Sequence, residues 1–328
     1  MRSYHAVAAL AALVSAELID DNGVQWGVTR AYAEAKAKDC LASLRATAWH
    51  AQTERALKNH PFVKAAERGR LPFQALQRFV GEQRFIQAND AASFAQLAGS
   101  DWRPTAAGLL DLWRNTPPDN LKGLFGTLLK GELAAAPLLQ RLIHATGLDY
   151  DAHGRSEDGT FFAPEPRAQA YGAYWALLAP VWKSPCSMAW SFHAVDATFV
   201  TELTGRFPRR LARDGRRAAA AAAAAVNFPA WGDACRRVLH GLRKDEHMKN
   251  ELKKRGLAEY QEGLAFLAFF AEPLPNLEEM ALSILADDFE KNGACELIQD
   301  DVRTLQAYEV DFWDAVWKPS HHASRGEL

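Results

Sequence analysis

In the segment Ser184 to Trp190, SPCSMAW, a single cysteine follows a proline. Cys186, one residue after Pro185, stands where a helix can begin. The unpaired N–H groups and dipole of a helix N-terminus favour a thiolate, and a thiolate can attack an electrophilic carbon. The competing reading is a structural cysteine packed as a small hydrophobe. His193 lies seven residues on and shares the helix face. Two turns separate the pair by roughly 10 Å along the axis, too far for a direct Cys–His couple. A second titratable residue, Glu309, sits in AYEVDFWDAVW among Tyr308, Phe312 and Trp313. Buried there, its carboxyl would lose hydration and its pKa would rise into the range useful for moving protons. Facing solvent, it would be one more charge beside Asp311 and Asp314.

These residues need a scaffold, and nearly every informative segment has helical period. LASLRATAWHAQTERAL puts Leu41, Leu44, Ala48 and Ala51 on one stripe with charge opposite. PFQALQRFVGEQRFIQANDAASFAQLA repeats the pattern with Phe73, Leu76, Phe79, Val80, Phe85 and Phe94, and the stretch from Met280 to Trp317 repeats it again. Alternating β-branched runs are almost absent, so the fold class is all-α. Gly69-Arg70-Leu71-Pro72 is a turn whose proline opens the next helix. Thr116-Pro117-Pro118-Asp119 separates two helices, and DYDAHGRSEDGTFFAPEP is a polar loop with aromatic anchors. RFPRRLARDGRRAAAAAAAAVNFP stands apart, its Arg cluster and eight alanines reading as an inserted low-complexity linker or solvated helix over residues 205–227. Because the helical pattern resumes at Trp231, one domain is expected over residues 39–318. An N-terminal extension (1–38) precedes it and a short disordered tail (319–328) follows.

The chain of 328 residues is 48% hydrophobic and 24% charged, so it can bury a sizeable core. Its net charge of −2 gives no pull toward nucleic acid or an acidic membrane surface, and no stretch is long enough to span a bilayer. The four cysteines (Cys40, Cys186, Cys235, Cys295) form no CxxC pair, which argues against a zinc cage and against a disulfide scaffold. In MRSYHAVAALAALVSAEL, Val14-Ser15-Ala16 would be acceptable to a signal peptidase. The preferred reading is an Ala-rich helix and a cytoplasmic protein, with a targeting segment as the alternative. The closing RGEL only loosely resembles an endoplasmic-reticulum retention tail.

With the helices placed, HPFVKAAERGRLPFQALQRFV (His60 to Val80) resembles the opening of the TenA/thiaminase-II family, which reads HPFV, a short helix, G-x-L-P and an aromatic helix. QAYGAYWALLA, SPCSMAW, FPAWGDACRRVL and AYEVDFWDAVW resemble four later family segments, in family order. The resemblance covers about Leu41 to Trp317, and its HPFV…GxLP and YExxFW motifs are specific together. It implies a haem-oxygenase-like helical bundle around a small-molecule pocket. It also implies hydrolysis of a C–N bond in a thiamin-derived aminopyrimidine, with no cofactor. Cys186 falls at the family's nucleophile and Glu309 at its proton-shuttling glutamate, while Gln83, Tyr171, Tyr174, Trp190 and Phe85 are expected to bind the ring. The implied partner is a heteroaromatic small molecule, and family members tend to assemble as homo-oligomers.

The chain departs from the family at several of these positions. Gln83 stands where members carry an aspartate, and an amide can hydrogen-bond but cannot be anionic. Ile86, Trp190 and Cys235 stand where members carry tyrosines. A site that has exchanged polar groups for apolar ones discriminates differently among ligands. Three other classes are therefore weighed. A degenerate, non-enzymatic binding module fits the lost groups. A haem protein would use His50, in ATAWH, as an axial ligand. A di-iron oxidase would need Glu82, Glu132, His193 and Asp196 to converge, although no Glu-x-x-His occurs.

Overall fold

The computed structural model describes residues 29–100, 121–148, 164–178, 216–254, 260–289 and 295–318. Helix α1 (Arg30–Arg45) begins at Thr29, whose hydroxyl accepts the Tyr32 backbone N–H. The apolar stripe expected to run through residue 51 is interrupted. The chain leaves the helix at Ala46, and Thr47 caps a new one, α2 (Ala48–Lys58), by accepting the His50 N–H. A threonine hydroxyl satisfies a first-turn donor more readily than it sits within a helix. Leu41 and Leu44 are accordingly in the core, while Ala48 is exposed and Ala51 half-buried. Ala33 and Ala37 of α1 are fully buried, so the folded domain includes residue 30 rather than starting at 39.

The HPFV motif has a structural explanation. His60 caps α3 (Pro61–Glu67), its Nδ1 accepting the Phe62 N–H at 3.2 Å. That bond leaves the proton on Nε2, which donates to Asp314 at 3.1 Å. Pro61 takes the first helical position, where it has no N–H to waste, and Phe62 and Val63 enter the core. The turn that follows needs Gly69 at φ +62°, a left-handed conformation glycine adopts without strain. Pro72 then precedes α4 (Phe73–Leu97) as its N-cap rather than as its first turn.

The remaining helices are α5 (Gly123–Ala145), α6 (Pro166–Leu178), α7 (Arg217–Leu242), α8 (Glu246–Lys253), α9 (Tyr260–Gly263), α10 (Ala265–Ala271), α11 (Leu277–Phe289) and α12 (Glu296–Trp317). No strand occurs among the described residues, so the all-α class holds. Helix α4 packs on α5 and α6, α6 on α12, and α7 on α3, α10, α11 and α12. No described helix is long and apolar enough to cross a membrane.

Two expectations are corrected here. The alanine tract is not a solvated insertion. Ala218 to Ala225 form the opening turns of α7 and are all 6% exposed or less. A helix without polar side chains on any face is buried, and methyl-sized side chains let α7 be surrounded closely. The same economy of space recurs at Gly241, where a Cβ would lie 1.9 Å from the Ala66 carbonyl oxygen. The second correction is a disulfide joining Cys40 of α1 to Cys295, the N-cap of α12, across 255 residues of sequence. Cysteine spacing carries no information on a bridge of that separation. Such a link typically contributes about 2–4 kcal/mol by restricting the unfolded chain.

Candidate functional site

An aromatic cluster forms the floor of the site. The Phe79 ring lies 5.7 Å from those of Phe62 and Trp313, 5.9 Å from Phe312 and 6.1 Å from Trp231. Trp231 and Phe312 also face a cavity of about 850 Å³ that opens between α4, α5, α6, α7, α10 and α12. On α4 the lining residues Gln83, Ile86, Gln87 and Asp90 follow i, i+3, i+4, i+7 spacing and so share one face. Helix α5 contributes Gly131 and Glu132, α6 Tyr171, α7 Phe228 and Trp231, and α12 Glu309 and Phe312. The mouth is formed by the loop Glu272-Pro273-Leu274-Pro275-Asn276 and the start of α11.

Glu309 is 2% exposed. Its Oε1 accepts the Trp313 indole N–H at 2.9 Å, and its Oε2 accepts the Asn227 amide at 3.2 Å. Burial outweighs these two donors and pushes the carboxyl up to about 7. The Asn227 amide also donates to the Tyr171 hydroxyl at 3.3 Å, linking α7, α6 and α12 at one point. Burial and the neighbouring charges of Glu309 and Asp90 raise the Tyr171 phenol. Cys235, fully buried on α7, has its thiol raised by burial and by Glu309.

Helices α4 and α5 bring two more acids to the lining. Asp90 is 6% exposed, and its Oδ1 has no hydrogen-bond partner among the described residues. Burial first, then Glu132 and Glu309, push its carboxyl well above the usual range. Glu132 is half-buried at the cavity wall, and desolvation raises its carboxyl likewise. Two arginines also line the cavity, but both are engaged. Arg45 pairs with Glu278 at 2.8 Å and donates to the Ala225 carbonyl, and Arg236 donates to the Ala271 carbonyl at 2.7 Å and pairs with Asp233. The interior is therefore acidic, aromatic and without a committed counter-cation among the described residues.

Of the residues singled out in the sequence, Gln83, Ile86, Glu132, Tyr171 and Glu309 meet at this cavity. Cys186 and Trp190 lie outside the described residues. Tyr174 does not line the cavity; it is buried and donates to Asp301 at 2.8 Å, while Arg216 pairs with the same carboxylate. Phe85, half-buried, also points elsewhere, being two residues beyond Gln83 on the helix and hence off its face. His50 is a satisfied core residue, its Nδ1 3.2 Å from Gln306 Oε1, and it does not line the cavity. Glu82 faces α6 rather than Glu132, with Oε1 accepting the Glu165 N–H and Oε2 the Gln169 amide. The described residues contain no group of three His, Cys, Asp or Glu arranged to hold a metal ion. His193 and Asp196 lie outside the described residues.

Asp90, Gln87 and Asn227 were not singled out in the sequence. The signal available for Asp90 was its spacing of seven from Gln83, which puts both on one face of α4. Asn227 lies two residues beyond the alanine tract and was hidden by that tract's low complexity. Comparison with protein-family models, curated proteins and solved structures returns no match for this chain.

Proposed function

We propose that the protein is a TenA-like hydrolase on a haem-oxygenase-like bundle, acting on the C–N bond of a heteroaromatic amine such as a thiamin-derived aminopyrimidine. The observation that carries this reading is Glu309, which the YExxFW motif singles out. It is buried at the wall of an aromatic cavity, with its carboxyl held near 7. An acid poised near neutrality can both give and take a proton during turnover. Phe228, Trp231 and Phe312 offer flat apolar surface for a ring, and Gln83 and Tyr171 offer hydrogen bonds to its edge.

In this reading the Cys186 thiolate adds to the ring carbon that bears the amino group. Glu309 delivers the proton with which ammonia leaves. It then takes a proton from the water whose oxygen displaces the thiol, so that water replaces the amine overall. The disulfide between Cys40 and Cys295 favours an oxidising compartment over the cytoplasm.

The test is release of ammonia from an aminomethylpyrimidine. Glu309→Gln and Cys186→Ser should each lower kcat by about 10²–10⁴ without altering the circular dichroism spectrum. The kcat/KM profile of the wild type should show an inflection near pH 7 that Glu309→Gln removes. Wild-type activity no higher than that of heat-killed protein sinks the hydrolase reading.

A further inference from the structure

We propose that Asp90 and Glu132 form a cation subsite in the cavity wall that binds a protonated organic amine. The inference rests on the reading above in taking this cavity as the ligand site, and it does not require the hydrolysis. A buried acceptor is ordinarily hydrogen-bonded, and leaving one unmade costs about 1–3 kcal/mol. Asp90 Oδ1 is such an acceptor, in a residue 6% exposed and lining an open cavity. The described charges that act on it are Glu132 and Glu309, which repel rather than satisfy it. The rim cations cannot serve, since Arg45 and Arg236 are held by Glu278, Asp233 and main-chain carbonyls. Among the described residues, then, the cavity supplies no uncommitted cation, and the ligand is assigned the balancing charge.

Shape and lining decide which cation. The same cavity is lined by Phe228, Trp231 and Phe312, and ring faces attract an organic ammonium while giving a sugar hydroxyl no partner. An anion would meet three acids. In the family resemblance the acidic residue of this helix belongs at position 83, yet here position 83 is neutral and the acid stands seven residues on. That displacement moves the charge by roughly 10 Å along α4. The substrate is thereby specified as one whose basic nitrogen reaches the α4–α5 wall while its reacting carbon lies by Glu309.

Binding should release protons. The titratable and charged groups that line the cavity are Asp90 on α4, Glu132 on α5, Tyr171 on α6 and Glu309 on α12, with Arg45, Arg236, Glu272, Glu278 and Glu279 toward the mouth. Burial keeps Asp90 and Glu132 protonated in the empty cavity to a higher pH than usual. A bound ammonium favours their ionised form, so amine affinity rises with pH from 6 to 8 while the amine itself stays charged.

The experiment is titration calorimetry on the full chain with benzylamine, benzyl alcohol and benzoate at pH 6 and pH 8. Runs in two buffers of different ionisation enthalpy count the protons released. Benzylamine should bind, more tightly at pH 8 and with proton release, and the alcohol and the acid should not. Asp90→Asn and Glu132→Gln should each weaken benzylamine by at least about tenfold. Glu34→Gln, an exposed acid on α1 outside the cavity, should leave binding unchanged, and thermal melts of all three variants confirm folding. Equal binding of benzyl alcohol, or unchanged affinity in both wall variants, overturns the proposal. So does an equal loss of binding in Glu34→Gln, or Asp90-dependent binding of Mn²⁺ that benzylamine does not displace. Amine binding without ammonia release sinks the hydrolase and leaves the subsite, whereas ammonia release without Asp90-dependent amine binding does the reverse.

Discussion

Glu82 and Asp90 lie on the same helix, eight residues apart, and are 3% and 6% exposed. Burial raises both carboxyls, that of Glu82 to about 8. Their surroundings are opposite. Glu82 accepts the Glu165 backbone N–H at 2.7 Å and the Gln169 side-chain amide, tying α4 to the start of α6. Asp90 turns to the cavity with Oδ1 unpartnered. A raised pKa is thus common to a structural acid and a ligand-facing one, and it does not tell them apart. What separates them is whether the hydrogen-bonding capacity is already met by the fold.

The largest effect that tests this contrast is loss of the Glu82 side chain. Glu82→Ala leaves the Glu165 N–H and the Gln169 amide without their acceptor. Each such loss costs about 1–3 kcal/mol, partly offset because a buried acid has gone. A net loss of about 2–4 kcal/mol should lower Tm by roughly 4–12 °C in calorimetry. Asp90→Ala removes no partner and should melt much closer to the wild type. If the two variants melt together, the distinction between a tied acid and a waiting one is wrong.

A smaller, pH-dependent difference comes next. Asp90 holds its proton in the folded protein to a pH well above the point where the unfolded chain loses it. Between those two values the folded state binds more protons, so this group's contribution to stability falls as pH rises. Below the unfolded pKa the penalty is absent. Asp90→Asn keeps the shape and removes the penalty, so its Tm should exceed the wild type's at pH 8 and converge with it near pH 4.5. Glu82→Gln should not show a clean gain at pH 8, because the new amide N–H would confront the Gln169 amide. A melting series from pH 4.5 to 8 checks both.

Much of the scaffold was legible before the structure, and the site only in part. HPFV and GRLP mark a cap, a turn and a helix start because histidine, proline and left-handed glycine are chemically suited to those places. The break at Ala46 and Thr47 was missed because the apolar spacing runs on through a cap. The alanine tract misled because its composition resembles a linker, while its burial depends on helices distant in sequence. The same holds for Cys40 and Cys295. Within the site, Glu309 stood out by its aromatic company, whereas Asp90 and Glu132 are meaningful only as a pair, on two helices whose packing no local pattern reveals.

The smallest effect is the coupling within that pair. At pH 8 and above, Asp90 and Glu132 repel as they ionise, so either Asp90→Asn or Glu132→Gln relieves the same strain. Their separate stabilisations should therefore sum to more than that of the double variant, by about 0.5–1 kcal/mol in denaturant unfolding. At pH 5 both carboxyls keep their protons and the two changes should simply add. Glu82 supplies the control: burial and Glu165, rather than Glu132, set its carboxyl. Glu82→Gln and Glu132→Gln should thus add at both pH values. Coupling in the Asp90 pair that persists unchanged at pH 5 would point to packing between the side chains instead of charge. The wall would then be a rigid surface rather than two acids awaiting a cation.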